Sequence, residues 1–262
     1  VSAVLDDAAA DLERRFGGLR RLYGDAGYER LRAARVAVVG VGGVGSWAVE
    51  ALARSGVARL VLIDLDQVAE SNVNRQIQAL GATLGMAKVD ALAARIADIH
   101  PGCEVVRVEE FVEPDHWPAL LPCPVDVLID ACDQARAKAA LAAWGIAAGV
   151  PVICVGAAGG KREPQRVEVA DLSETTHDPL LAGLRQRLRR DGVVPRQGAA
   201  RLTCVFSREP VAPPQAGACA TDGSLNCAGY GSAVTVTATF GLVAAAQAVD
   251  RIVRAKSSCT AR

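Results

Sequence analysis

Gly40-Val41-Gly42-Gly43-Val44-Gly45 reads G-x-G-x-x-G, with one glycine more than the pattern needs. Such a turn between a strand and a helix lets main-chain N–H groups approach a phosphate at the helix N-terminus. Asp64 follows Gly40 by 24 residues, where a carboxylate can accept hydrogen bonds from ribose hydroxyls. These two features alone point to NAD. The residues that follow Asp64 do not. Arg75 and Lys88 come next, and a bridging pyrophosphate has no need of two further cations. A triphosphate has: Arg offers planar bidentate contacts and Lys a point charge for the β- and γ-phosphates. Asp133, just past Asp130-Ala131-Cys132, is placed to hold Mg2+ against phosphate oxygens. Taken singly, each of these residues is an ordinary loop charge.

The elements that must position them alternate. Short β-branched or apolar runs at Arg35–Val39, Arg59–Ile63, Val125–Ile129 and Pro151–Val155 predict buried strands, with a weaker one at Glu104–Val108. Helical spacing predicts helices at Ser46–Ser55, Met86–Ile99 and Ala135–Ala148. Strand–helix alternation of this length means βαβ units, so the fold class is α/β: a Rossmann-like, mostly parallel sheet with helices on both faces. Residues 1–34 read as an N-terminal helical arm that Gly17-Gly18 should break, and 35–160 as the nucleotide-binding core. Residues 161–262 read as an extension of the same domain, with an antiparallel strand at Arg166–Val169 and a charged helix at Asp178–Arg190. Within it, 193–226 is rich in Gly, Pro and Arg without periodicity and reads as a long mobile loop.

Composition narrows the class. In 262 residues, Lys plus Arg and Asp plus Glu are 29 each, which excludes a globally basic nucleic-acid binder but not a local basic patch. Apolar residues at 51% against 22% charged exclude general disorder. Aromatics at 4% exclude a single-strand stacking platform. The eight cysteines include no C-x-x-C pair, so no zinc is expected. The charged first twenty residues lack a signal-peptide core. Together these predict a cytoplasmic protein with mostly free thiols. The uncharged stretch Ala233–Val249 is short for a membrane span and reads as a buried helix.

Gly40–Gly45, Asp64-x-Asp66, Asn72-x-Asn74-Arg75-Gln76, Gly85-x-x-Lys88 and Asp130-x-x-Asp133, in that order, resemble the adenylation domain of the ubiquitin-activating-like superfamily, the ThiF, MoeB and HesA relatives. Arg15–Gly18, Gly43–Trp47, Gly156–Gly160, Asp178–Leu180, Cys204–Ser207 and Thr235–Gly241 are similar to the branch that dehydrates threonylcarbamoyladenosine in tRNA. The branch also lacks the paired zinc cysteines of the sulfur-carrier activators. This chain departs from it at Ala157-Ala158, where Gly-Ala is common, and at Asn226, where an acid is frequent.

The resemblance implies ATP-dependent adenylation of the threonyl carboxylate followed by ring closure. It implies that Gly40, Gly42, Gly43, Gly45, Asp64 and Asp66 bind the nucleotide, together with Asn72, Asn74, Arg75, Gln76, Lys88 and Asp133. It also implies a homodimer in which an arginine of the N-terminal arm, Arg21 first and Arg15 second, acts in the partner's site. A monovalent cation near Gly156–Gly160 and a sulfurtransferase-type protein partner belong to the same expectation. Cys204 and Cys227 are candidate reactive thiols, with a small buried residue as the alternative. For tRNA, the densest basic run is Arg185, Arg187, Arg189, Arg190, Arg196 and Arg201, preceded by Lys161, Arg162 and Arg166. Two other readings stay open: an activator of a sulfur-carrier or ubiquitin-like protein C-terminus, and a non-catalytic or NAD-binding Rossmann module.

Overall fold

The computed structural model describes residues 11–212 and 230–255. In chain order the main elements are α1 (Leu12–Ala33), β1 (Arg35–Val39), α2 (Gly45–Arg54), β2 (Arg59–Ile63), α3 (Lys88–Ile99) and β3 (Glu104–Val108). Then follow β4 (Val127–Asp130), α4 (Ala135–Ala148), β5 (Val152–Val155), β6 (Val167–Asp171), α5 (Pro179–Arg190), β7 (Thr203–Ser207) and α6 (Val234–Val253). One seven-stranded sheet runs β3-β2-β1-β4-β5-β7-β6. All pairings are parallel except β6 with β7. The strand order reverses between β1 and β4, and a crevice opens there at the carboxyl ends of the strands.

Alternation along β1 divides the core. Val36 and Val38 face the side covered by α2, α3 and α6, whereas Ala37 and Val39 face the side covered by α4 and α5. The uncharged C-terminal stretch forms the buried helix expected of it. Its apolar residues Val236, Phe240, Ala244, Ala248 and Ile252 recur every four positions and pack into the core. α6 is long and apolar enough to cross a membrane by length and composition, and half of that stretch is buried in the fold.

Two expectations are corrected. Gly17-Gly18 does not break the arm, because both glycines sit inside α1. That turn is held at its start by Asp11, which accepts the Arg14 N–H, and by buried Phe16 packed against His100 at 4.8 Å. The kink falls at Gly24, whose φ of 70° is open to glycine at little cost. Arg20 bridges it, reaching Glu13 on one side and Asp25 on the other. The second correction concerns 193–226, which contains a strand. Thr203-Cys204-Val205-Phe206-Ser207 lies between β5 and β6, and every residue after Thr203 is buried. A five-residue run with only three apolar residues, flanked by Arg, Gly and Pro, has no periodicity long enough to separate it from its surroundings. Residues 213–226 lie outside the described residues.

The helix that follows the glycine turn is seated on α6 through Gly241. A Cβ there would collide with the Val44 carbonyl oxygen and lie 2.8 Å from the Trp47 Cβ. Gly241→Ala must therefore push α6 away from α2, and overpacking of this kind costs about 1–3 kcal/mol. The expected result is a lower thermal midpoint together with weaker nucleotide binding, measured by calorimetry and nucleotide titration on the same preparation.

Candidate active site

A cleft of about 320 Å3 opens at the crevice between β1 and β4. Four strand ends feed it. β1 delivers Gly40, Gly42 and Gly43, β2 delivers Asp64 and Asp66, β4 delivers Asp133, and β5 delivers the Gly156–Gly159 loop. Arg75, Gln76 and Lys88 arrive from the segment between β2 and β3.

Asp64 organises one wall. Its Oδ2 accepts the Val41 N–H at 2.8 Å and its Oδ1 accepts the Asp66 N–H at 2.9 Å. The other side of residue 41 is tied as well, since the Gln78 side-chain amide donates to the Val41 carbonyl at 2.9 Å. Burial pushes the Asp64 carboxyl above the usual carboxylate range, and the nearby Lys88 ammonium opposes that shift. Lys88 is the first residue of α3 and nearly buried; its Nζ lies 2.6 Å from Asp66 Oδ2 and 3.9 Å from Asp64 Oδ1. The Asp66 side chain is 53% exposed. The ammonium is thus held by a partner that can turn to water.

Arg75 lies over the glycine turn, with its Cγ and Cδ each 3.5 Å from where a Cβ on Gly43 would be. Its main chain is fixed by two helices: Trp47 Nε1 of α2 donates to the Arg75 carbonyl at 3.0 Å, and Thr237 Oγ1 of α6 at 3.3 Å. Its guanidinium donates to the Ser71 carbonyl and the Asn74 side-chain oxygen.

Three of the residues expected to bind nucleotide do not line the cleft. Asn72 is buried, and its side-chain oxygen accepts the Ala69 N–H at 3.0 Å. Asn74 donates to the Ser232 carbonyl at 2.9 Å. Gly45 is buried where a Cβ would strike the Gly40 carbonyl, so it sets the tightness of the turn.

Asp133 is exposed at the cleft, and in sequence it lies between the two members of a fully buried ion pair. Lys138 Nζ lies 2.8 Å from Asp130 Oδ2, with both side chains inaccessible to solvent. Asp130 Oδ1 also takes up the Cys132 thiol at 3.0 Å, which anchors the turn leading to Asp133. Among the described residues no group of three or more His, Cys, Asp or Glu side chains could hold a metal ion. A single carboxylate facing a phosphate site suits Mg2+, which keeps several waters and takes its other ligands from the phosphates. Asp133 fits that role.

Beside Asp64 the cleft is apolar, lined by Val39, Ile63, Phe111 and Val112. Such a slot has the shape and polarity that suit a flat heterocyclic group. Phe111 and Gln78 escaped the sequence reading; only the Gln76-Ile77-Gln78 repeat next to Arg75 hints at Gln78.

Several expected site residues lie elsewhere. Arg21 is exposed and does not line the cleft of its own chain. Arg15, the second candidate finger, caps α3 in its own chain by donating to the Asp98 and Ile99 carbonyls at 2.8 and 2.7 Å. Cys204 is fully buried in β7, and burial drives its thiol far above the ordinary range, so it is not a poised nucleophile. Cys227 lies outside the described residues. Two members of the basic run turn inward: Arg185 donates to the Leu172 and Thr175 carbonyls, and Lys161 is buried.

The chain resembles known proteins over nearly its whole length. The ThiF family matches residues 15–261. The tRNA threonylcarbamoyladenosine dehydratase of Escherichia coli K12 is 43% identical, over 96% of this chain and 97% of that protein. The dehydratase of the same description from Haemophilus influenzae is 41% identical, over 94% of this chain and 95% of its own length. A crystal structure of the E. coli dehydratase in complex with ATP superposes with a TM-score of 0.84 at 42% identity, covering 93% of this chain and 96% of that one. A family match across the sheet, the glycine turn and both walls of the cleft makes this chain a member of the ThiF family.

Proposed function

We propose that this protein is an ATP-dependent enzyme that dehydrates threonylcarbamoyladenosine in tRNA by carboxylate adenylation. The observation that carries the reading is the cleft itself, where a glycine turn, Asp64, Arg75, Lys88 and Asp133 converge beside an apolar slot. The near-full-length likeness to dehydratases, one of them solved with ATP, supports the same substrate class.

In this reading an oxygen of the threonyl carboxylate attacks the α-phosphate of ATP, forming an acyl-adenylate and expelling pyrophosphate. The carbamoyl group of the same side chain then closes on the activated carbonyl, and AMP leaves with the original carboxylate oxygen. The protein contributes position and charge. Asp64 receives the ribose hydroxyls with the lone pairs its two amide partners leave free. The amides of the glycine turn and the N-terminus of α2 face the phosphates. Lys88 exchanges Asp66 for a phosphate oxygen, and Arg75 faces the leaving pyrophosphate. Mg2+ held by Asp133 would offset phosphate charge.

The tRNA needs a surface near this cleft. Arg136 on α4 and Arg187 and Arg190 on α5 frame a second hollow beside it, and Arg196 and Arg201 are exposed. Arginines placed this way suit a phosphate backbone without reading its sequence. We place the enzyme in the cytoplasm, where its substrate is, and as a homodimer with Arg21 of one chain acting in the cleft of the other.

The reading is tested by incubating threonylcarbamoyladenosine-containing tRNA with the protein and ATP, then analysing the nucleosides by mass spectrometry. The expected product has lost one water per modified adenosine, with AMP released in step. Stimulation of ATP–pyrophosphate exchange by a carrier protein ending in Gly-Gly, and not by tRNA, would select the other adenylating function.

Arg75→Ala and Lys88→Ala should each lower turnover by a factor of about 100 or more, as removal of a charge-stabilising group does. The fold should survive in Arg75→Ala, since Trp47 and Thr237 hold the main-chain carbonyl that alanine keeps. Near-normal ATP-dependent turnover in either variant overturns the triphosphate assignment.

Shared sites are tested by mixing two inactive variants, Arg21→Ala and Asp133→Asn. Random exchange makes half the dimers mixed, and a mixed dimer has one site with neither defect, so about a quarter of all sites recover. No recovery after demonstrated exchange means that Arg21 acts within its own chain or not at all.

A further inference from the structure

The wall of the cleft opposite Asp64 is built from three separate segments. One is the Gly156–Gly159 loop after β5, the second contains Pro179 and Leu180 at the start of α5, and the third contains Val211 beyond β7. A single side chain joins them. Lys161 is 2% exposed, and its Nζ donates to the carbonyls of Glu209 at 2.8 Å, Ser207 at 3.2 Å and His177 at 3.4 Å. The ammonium thus sits in a cage of three main-chain oxygens, the kind of ligand set a monovalent cation takes.

The cage is reinforced on every side. Glu209 answers Lys161 in kind: its carboxylate accepts the N–H groups of Arg162 and Glu163 at 2.8–2.9 Å. Gly160 donates to the Gly231 carbonyl and accepts the Ala212 N–H, both at 2.9 Å. Asp178 caps α5 by accepting the Leu181 N–H at 3.0 Å, and its other oxygen accepts the Ala157 N–H at 2.9 Å. His177 holds a φ of 57°, a conformation uncommon for a non-glycine residue, and this residue's carbonyl completes the cage. A strained residue persists only when its surroundings over-determine it, and the ammonium is one of the groups that do so here.

We propose that Lys161 is a positioning residue for the nucleotide cleft: a covalently tethered monovalent cation whose three carbonyl partners fix the 156–160 loop, the 177–180 turn and the 207–212 segment relative to one another. The ammonium does not reach the reacting atoms; it acts through the wall it assembles. The inference rests on the reading of the cleft as an ATP site only for one of its two readouts.

Removing the side chain leaves a cage that a free cation can fill, and this makes the proposal testable. Wild type and Lys161→Ala are compared in choline, sodium, potassium and ammonium chloride at one ionic strength, by thermal midpoint and by ATP titration. The wild type should behave alike in all four salts. Lys161→Ala should have a lower midpoint in choline and bind ATP roughly tenfold more weakly, the loss expected for charge-assisted hydrogen bonds. Both properties should recover in ammonium or potassium. Lys161→Met, which fills the space with an apolar chain, should recover in none. ATP binding of Lys161→Ala at the wild-type level in choline overturns the proposal. So does a loss that no cation reverses, including failure to fold in every salt, and so does equal recovery of Lys161→Met. If the wild type binds no ATP at all, the nucleotide reading fails while the midpoints still decide the role of Lys161.

Discussion

The cleft depends on a carboxylate that has been taken out of water and kept within reach of charge. Asp64 is 9% exposed, and its oxygens hold the amides of Val41 and Asp66. A buried carboxylate without partners would simply take up a proton. Two amide N–H groups and Lys88 are what favour its ionised form. In return it fixes the peptide at residue 41, and Gln78 fixes that residue's carbonyl. The glycine turn is therefore rigid before any ligand arrives, so little ordering cost remains to be met on binding.

The floor uses a different solution to the same problem. Asp130 and Lys138 are both wholly buried, and each is the other's charge partner. A pair of this kind gains little over an apolar pair, but breaking it from one side leaves a stranded charge at a cost of about 3–5 kcal/mol. It also fixes direction. Asp130 closes β4 and holds Cys132, which leaves the chain one course from the sheet to Asp133. The far wall solves it a third way, with an ammonium and a carboxylate that each address main chain and not each other. In all three places a charge removed from water is met by fixed partners: Asp64 by two amides and Lys88, Asp130 by Lys138, and Lys161 by three carbonyls.

Most of the sheet could be read from the sequence because buried parallel strands are short unbroken apolar runs. Arg35–Val39 and Arg59–Ile63 fall where those runs fall, and Glu104–Val108, broken by Arg107 and only partly buried, is the weaker signal at the sheet's edge. β7 was hidden because its run is equally short but follows a stretch of Arg, Gly and Pro with no helix directly before it. The kink in α1 was misplaced because a glycine pair looks like a break, whereas Gly17 and Gly18 remain helical and Gly24 alone adopts positive φ. The charges that were misread share one cause. Arg15, Lys161 and Arg185 bind main-chain carbonyls that lie from 10 to 84 residues away. Such partners carry no side-chain signature, so a committed cation and a free one look alike in sequence. Gln78 was missed for the same reason, its partner being the carbonyl of Val41.

Arg75 belongs in sequence to the segment between β2 and β3, yet its carbonyl is held by Trp47 from α2 and by Thr237 from α6. The first of these partners precedes it by 28 residues and the second follows it by 162. A chain emerging from the ribosome can pair β1 to β5 long before α6 exists, because synthesis proceeds from the N-terminus. Until residue 237 is out and docked, the Arg75 carbonyl lacks the Thr237 hydrogen bond and α2 lacks the helix it packs against. The cleft is thus completed by an element made long after the strands that open it, so a chain stopped before residue 237 lacks that part of its support.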